Sequence, residues 1–230
     1  MVTGLPGRQA LASAAIRSFQ SQTYPNKELV IINDGNPVPG ELLDSRIREV
    51  LVPGQPKLAL GTLRNIGLQQ ARGDWIMQFD DDDYYHQERI AVQMRARRGD
   101  NCVLLRSQMR FSFLSNAAFV FNWRYRSVPG IPGSILHPRR PELAYRAEGR
   151  AEDEHFIQDY FDRGTIVIEN GANRLAHIYL RFFHGGNTWD EKHVMGRATP
   201  GWWAASRQER EYLREVLERE YGYSMPFKHP

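Results

Sequence analysis

The chain has 230 residues, 41% apolar and 25% charged, with a formal net charge of +3; these are ordinary proportions for a soluble globular protein with a sizeable core. No run approaches the roughly 20 apolar residues of a membrane span, and the opening MVTGLPGRQA lacks the basic start and apolar run of a signal peptide. Cys102 is the only cysteine, which excludes a disulfide framework and a Cys-based zinc site and points to a reducing, cytoplasmic setting.

MVT reads as the last residues of a first strand, as if the chain starts inside it, and runs into the loop GLPGR. Leu11, Ala14, Ala15, Ser18 and Phe19 recur at helical spacing and predict a helix over 9–20. ELVIIND (28–34) is a short apolar run stopped by Asn-Asp-Gly-Asn-Pro, hence a buried strand, and IREVLVP (47–53) is another. Residues 60–71 read as a helix with Leu60, Leu63, Ile66 and Gly67 on one side, and DWIMQF (74–79) as the next strand. Short apolar strands separated by helices imply a parallel sheet covered on both faces. The stretch 112–146 is irregular and rich in turn signals. Beyond it, 151–163 reads as a helix, 165–170 and 174–183 as strands, and 206–221 as an amphipathic structural helix with Leu213, Val216, Leu217 and Tyr221 aligned.

Two charge features stand out. Arginines crowd the middle of the chain (Arg106, Arg110, Arg124, Arg126, Arg139, Arg140, Arg146, Arg150). They fit either an anionic partner or, for most of them singly, a solvated surface paired with Asp and Glu. No aromatic-interleaved basic motif suggests nucleic acid. The second feature is QFDDDDYYHQERI (78–90), with four carboxylates at a predicted strand end. In open α/β sheets ligands bind outside the carboxyl ends of strands, so Asp34 and Asp80–Asp83 share one edge. In an extended strand Asp80 and Asp82 would point one way, Asp81 and Asp83 the other. An Asp-x-Asp there suits Mg²⁺ or Mn²⁺, which takes one or two carboxylates and completes its shell with phosphate and water. A solvated acidic turn is the alternative.

Taken in order, SFQSQTYPNKELVIINDGNP (18–37), GTLRNIGLQQARGDWIMQFDDDDYYHQERI (61–90), AEDEHF (151–156) and YLRFFHGGNTWD (179–190) resemble family 2 glycosyltransferases. The resemblance covers residues 1 to about 190 and is least specific between 95 and 150. It implies a single GT-A-like α/β domain with a mostly parallel, Rossmann-like sheet flanked by helices and a less regular acceptor-side half. Residues 1–95 would bind the nucleotide-sugar and 96–205 the acceptor and base; 206–230 would be a C-terminal helix and tail. It implies an inverting, metal-assisted transfer from a nucleotide-sugar, UDP-sugar first, to a glycan, glycolipid or lipid-linked acceptor in bacterial surface polysaccharide or glycoconjugate synthesis. The protein would lie in the cytoplasm, with peripheral contact at the inner face of the membrane open.

The roles implied follow residue by residue. Thr3 and Asp34 would line the base pocket, although Asp34 also suits an Asx turn. Arg64 of the RN pair would contact the nucleotide, with Asn65 supporting the loop. Asp82 would bind the metal directly, Asp80 and Asp81 would contact ribose or metal-bound water, and Asp83 would orient the next loop. His184 would complete the metal shell or touch diphosphate. Asp153 would be the catalytic base, with Glu152 beside it on the acceptor side. Arg139 and Arg140 would face an acceptor phosphate, and Asn187, Thr188 and Trp189 would shape that side. Trp202 and Trp203 would stack on a sugar or pack in the core. Two alternatives are weighed. A haloacid-dehalogenase-type phosphatase also uses Asp-x-Asp, but on its first strand and with Thr or Val where this chain has Tyr84. A sugar-nucleotide-binding module without turnover is the other.

Overall fold

The computed structural model describes residues 1–124, 128–160, 164–168, 175–192 and 202–224, with no side-chain description at 166 and 202–204. Its first sheet is parallel, in the order β1 (Val2–Thr3), β2 (Leu29–Asn33), β3 (Ile47–Leu51). Thr3 lies opposite Asn33, and Asn33 opposite Leu51, so these strands end level on one edge. Helix α1 (Gln9–Gln20) follows β1, and α2 (Leu60–Gln70) follows β3. Ile16, Phe19, Leu29, Ile31 and Ile47 share one core cluster, as the apolar spacing of those segments requires.

A second sheet holds β4 (Trp75–Met77), β6 (Cys102–Leu105), β9 (Leu136–Pro138) and β10 (Thr165–Ile168), in the order β10–β6–β9–β4. β10 runs parallel to β6, and β9 antiparallel to both β6 and β4. Helix α3 (Arg89–Ala96) leads into β6. A third sheet orders β12 (Trp202–Ala204), β8 (Ala117–Asn122), β7 (Ser107–Ser112), β11 (Tyr179–Phe183) and β5 (Asp83–Tyr85). The whole is a mixed α/β domain of parallel and antiparallel strands with flanking helices.

The irregular reading of 112–146 misses part of a hairpin. β7 and β8 pair antiparallel from Ser107–Asn122 to Ser112–Ala117. The turn between them takes Asn116 at φ 53°, a left-handed position that Asn tolerates. The Ser-Asn turn between aromatic-rich runs was the available signal. Other boundaries shift inward. The expected 174–183 strand opens with a 3₁₀ turn, Ala176–Ile178, before β11. The expected 151–163 helix is described as α4, Glu152–Gln158. Phe161 of its apolar stripe and the end of the 165–170 strand lie outside the described residues.

The C-terminal helix α5 (Arg207–Tyr221) is capped at both ends. Ser206 Oγ accepts from the Glu209 N–H at 3.3 Å, while Glu209 Oε2 accepts from the Ser206 N–H at 2.7 Å, a reciprocal capping box. Gly222 ends the helix at φ 58°. Leu213, Val216 and Leu217 are buried against Met109, Phe111, Leu180 and Phe182. Each such side chain contributes about 2 kcal/mol by leaving water, so α5 anchors the third sheet. Arg17 ties it to α1 by donating to Glu220 at 3.0 Å. No helix among the described residues is long and apolar enough to cross a membrane.

Candidate active site

The loops after β1 and β2 nest closely. Gly4 sits at φ +130°, and a Cβ on Gly35 would run into the Gly4 carbonyl. This contact places Thr3 and Asp34 side by side in the wall of a cleft of about 370 Å³ at the carboxyl edge of the first sheet. Arg64, Asp80, Asp81, Asp82, Asp153 and Trp189 line the same cleft. A second cavity, about 500 Å³, lies between β2 and β4 with walls that include Leu29, Val30, Trp75 and Ile76. It gathers no cluster of carboxylates.

The acidic run is a turn rather than an extended strand end, so strict alternation fails: β4 stops at Met77, Asp81 and Asp82 form the turn, and Asp83 begins β5. Each carboxylate therefore meets its own surroundings. Asp80 accepts from Arg64 Nη2 at 3.0 Å and from Gln78 Nε2 at 3.2 Å. Asp81 and Asp82 share the guanidinium of Arg8, at 3.1 and 3.2 Å. Arg8 also donates to the Gly186 carbonyl at 2.6 Å, joining the β1 loop, the acidic run and the HGGN loop. Asp83 turns into the core, accepting from the Tyr179 hydroxyl at 2.8 Å and the Phe182 N–H at 3.3 Å.

These surroundings separate Asp81, Asp82 and Asp83. Burial pushes Asp83 up to about 8, with neighbouring Asp82 adding to it. Burial and Asp82 push Asp81 up to about 6 against the pull of Arg8. Burial alone would raise Asp82 too, but the His184 hydrogen bond, Arg8 and Arg181 bring it below the usual carboxylate value. Of these three, Asp82 is the one whose surroundings favour the anion most.

His184 Nε2 lies 3.2 Å from Asp82 Oδ2, and Asn187 Nδ2 donates to the same oxygen at 3.3 Å. The Gly186 N–H faces His184 Nδ1 at 3.3 Å, which assigns the proton to Nε2. Among the described residues no group of three or more His, Cys, Asp or Glu forms a metal cage. The Asp82–His184 pair nonetheless fits a divalent cation that takes two protein donors and fills its shell with phosphate and water. A cation on Nε2 would move the proton to Nδ1, giving up both the Gly186 contact and the hydrogen bond to Asp82.

The RN pair fastens α2 to the segment leading into α4. Arg64 Nε donates to Glu152 Oε1 at 3.0 Å while its Nη2 holds Asp80. Asn65 clamps the Tyr145 backbone, donating to its carbonyl at 2.8 Å and accepting from its N–H at 2.7 Å. Tyr145 in turn stacks on Phe156 of α4, ring centroids 4.1 Å apart. Burial works against the Arg64 charge, but Asp80, Tyr145 and Glu152 more than offset it and raise its pKa. Arg64 thus holds two carboxylates and also lines the cleft, where a nucleotide contact is expected. Glu152, expected on the acceptor side, is only 3% exposed because Arg64 draws it into the wall.

Ala151 precedes α4 at φ 60°, strained for a residue with a Cβ. This bend turns the first residues of α4 toward the cleft. Asp153 accepts from the Glu154 N–H at 2.8 Å. Burial, then Glu152, push it up to about 6 against the field of Arg64. That value suits a general base near neutral pH.

Arg139 and Arg140 do not join this cleft. β9 runs antiparallel to β4 with Pro138 opposite Trp75, so the chain leaves β9 at the amino end of β4, away from the acidic run. Arg139 is exposed and Arg140 pairs with Asp100. Trp189 lines the cleft, with the Arg150 guanidinium 5.2 Å from its ring. The side chains of Trp202 and Trp203 lie outside the described residues. Sequence reasoning missed Arg8 and Arg181. The signal for Arg181 was a lone charge inside the apolar strand YLRFF; Arg8 sits in a loop with no pattern.

A sequence model described as Glycosyl transferase family 2 matches residues 8–124. That is half of the chain, and the protein belongs to this family. An uncharacterized glycosyltransferase of Haemophilus influenzae is 28% identical over 101 residues, covering 42% of this chain and 40% of that protein. The chain spans less than half the length of the curated relatives it matches. S. aureus TarS residues 1–349, solved with UDP-GlcNAc, superposes with a TM-score of 0.59 at 13% identity, over 97% of this chain and 72% of that one. The mannosyltransferase PcManGT of Pyrobaculum calidifontis, solved with GDP-Man and Mn²⁺, gives 0.55 at 12% identity, over 78% and 55%. At these identities the likeness concerns the fold. The phosphatase alternative fails on that fold, because the acidic run follows the fourth strand and not the first.

Proposed function

We propose that the chain carries an inverting transfer of a sugar from a nucleoside diphosphate donor, UDP-sugar first, to an acceptor hydroxyl. The observation that carries this reading is the meeting of Asp153, pushed up to about 6, with Thr3, Asp34 and the Asp80–Asp82 turn in one cleft. The UDP-GlcNAc and GDP-Man complexes of the structural neighbours support a donor of that class. Thr3 and Asp34 would receive the base, a strand-end carboxylate being apt for the imide N–H of uracil. Asp80 and Asp81 would face the ribose side, with Arg64 holding Asp80 in place. Asp153 takes the proton of the acceptor hydroxyl as its oxygen bonds to the anomeric carbon. The bond from that carbon to the diphosphate oxygen breaks, and its electron pair leaves with the nucleoside diphosphate.

Asp82 and His184 would hold Mn²⁺ or Mg²⁺. Such an ion, when bound, supplies Lewis-acid neutralisation of diphosphate charge. Residues 1–95 would form the donor half, 96–205 the acceptor and base half, and 206–230 the bracing helix and tail. Trp189 would flank the acceptor, a glycan, glycolipid or lipid-linked saccharide of bacterial surface polysaccharide or glycoconjugate synthesis. The test is calorimetry with nucleoside diphosphates and nucleotide-sugars, with and without Mn²⁺. UDP should bind the wild type and Asp153→Asn alike, while transfer should vanish only in the variant. No heat with any nucleotide would sink the reading.

A further inference from the structure

Among the described residues four arginines reach the cleft, and three have protein partners there. Arg8 bonds to Asp81 and Asp82, Arg64 to Asp80 and Glu152, and Arg150 lies over Trp189. Arg181 differs. β11 places it in the cleft wall, yet among the described residues its guanidinium makes no hydrogen bond or ion pair. Its charge is secured even so. Burial opposes that charge, but Tyr179, Asp83, Asp82 and Asp80 raise its pKa above the ordinary arginine value. Its field lowers both Asp82 and Asp153, and all three line the same cleft.

A partly buried cation without a bonded partner has lost water and gained no direct hydrogen bond in return. A guanidinium fork suits a phosphate, because it can donate two parallel hydrogen bonds and does not itself lose a proton. We propose that Arg181 is a further catalytic residue, whose guanidinium takes a non-bridging oxygen of the nucleoside diphosphate as that group departs. This rests on the nucleotide-sugar reading above. As the bond between the anomeric carbon and the diphosphate oxygen breaks, the electron pair stays on the phosphate oxygen. Arg181 balances that charge, and no proton moves to or from it.

The experiment compares UDP with uridine, titrated calorimetrically into the full chain in one Mn²⁺-containing buffer, for wild type, Arg181→Gln and Arg181→Lys. Losing one charge-assisted contact should weaken UDP about tenfold or more in Arg181→Gln, with uridine affinity unchanged. Arg181→Lys, which keeps the charge without the fork, should fall between the two. A UDP-to-uridine ratio that stays at the wild-type value in both variants overturns the inference. So does an equal loss for both ligands, which would make Arg181 a structural residue. If Arg181→Gln does not fold by circular dichroism, the lysine variant carries the comparison with the same two overturning results. A ratio left intact while only acceptor KM rises assigns Arg181 to an acceptor phosphate and also overturns it. Wild type that binds neither ligand overturns the nucleotide reading itself, a failure distinct from the others.

Discussion

Arg64 donates to Glu152 at 3.0 Å, and this ion pair ties α2 to the first residue of α4. The side chains are only 10% and 4% exposed, and the same guanidinium also holds Asp80. Arg64→Ala would leave two carboxylates in the wall without their cation. Removing one partner of a buried pair costs about 3 kcal/mol or more, so the midpoint of urea denaturation should drop accordingly. Arg64→Lys should recover part of the loss, because one ammonium cannot reproduce both forks of the contact. A loss under about 0.5 kcal/mol, the range of a solvated surface pair, would contradict the role given to this arginine.

Asp153 must be ionised to accept a proton, and burial sets its value at about 6. The transfer rate at saturating donor should therefore climb as pH rises through about 6 and level off above it. Asp153→Asn should abolish transfer at every pH while leaving UDP affinity near that of wild type. A wild-type profile already flat from pH 5 to 8 would remove Asp153 as the base.

Asp83 offers a stability test separate from catalysis. Its folded value of about 8 lies above the ordinary 3.8, so ionisation works against the fold. The penalty is nil below about pH 4, grows as pH rises, and levels off above about 8. Asp83→Asn removes it while keeping the shape: its amide oxygen can accept from the Phe182 N–H and its NH2 can donate to the Tyr179 hydroxyl. The variant's thermal midpoint relative to wild type should rise steadily between pH 5 and 8. A constant difference across that range would mean that Asp83 does not titrate there.

Much of this was legible beforehand. The spacing of Leu11, Ala14, Ala15 and Phe19 and the run LVIIN gave α1 and β2 because periodicity and apolar length are local properties. Asp34 and the acidic run could both be put at strand carboxyl ends, and they line one cleft although β2 and β4 lie in different sheets. The partners were not legible. Arg64 meets Glu152 across 88 residues and Arg8 meets Asp81 across 73, and nothing local encodes such distances. Arg139 and Arg140 looked like site residues because charge clusters are visible in sequence, whereas the direction of the three-residue β9 is not. The division of the four aspartates depended on a turn at Asp81–Asp82 that identical side chains cannot signal.

Gly61 links α2 to the segment before α4 through the backbone. Its N–H donates to the Glu148 carbonyl at 3.0 Å, and an added Cβ would run into the Arg146 carbonyl oxygen. Gly61→Ala should push the 145–149 segment away from α2. Expected are a loss of about 1–3 kcal/mol, the usual cost of overpacking, and faster proteolysis near residue 146. Unchanged stability and proteolysis would show that the segment is free to move.

The nucleotide site itself is tested most directly by titrating UDP calorimetrically into wild type and Asp82→Asn, each with and without Mn²⁺. Expected is one UDP per chain, bound more tightly with Mn²⁺ in the wild type, and a metal effect that disappears in Asp82→Asn. Equal tightening by Mn²⁺ in both proteins, or no UDP binding to the wild type under any condition, would contradict the site described at the Asp80–Asp82 turn.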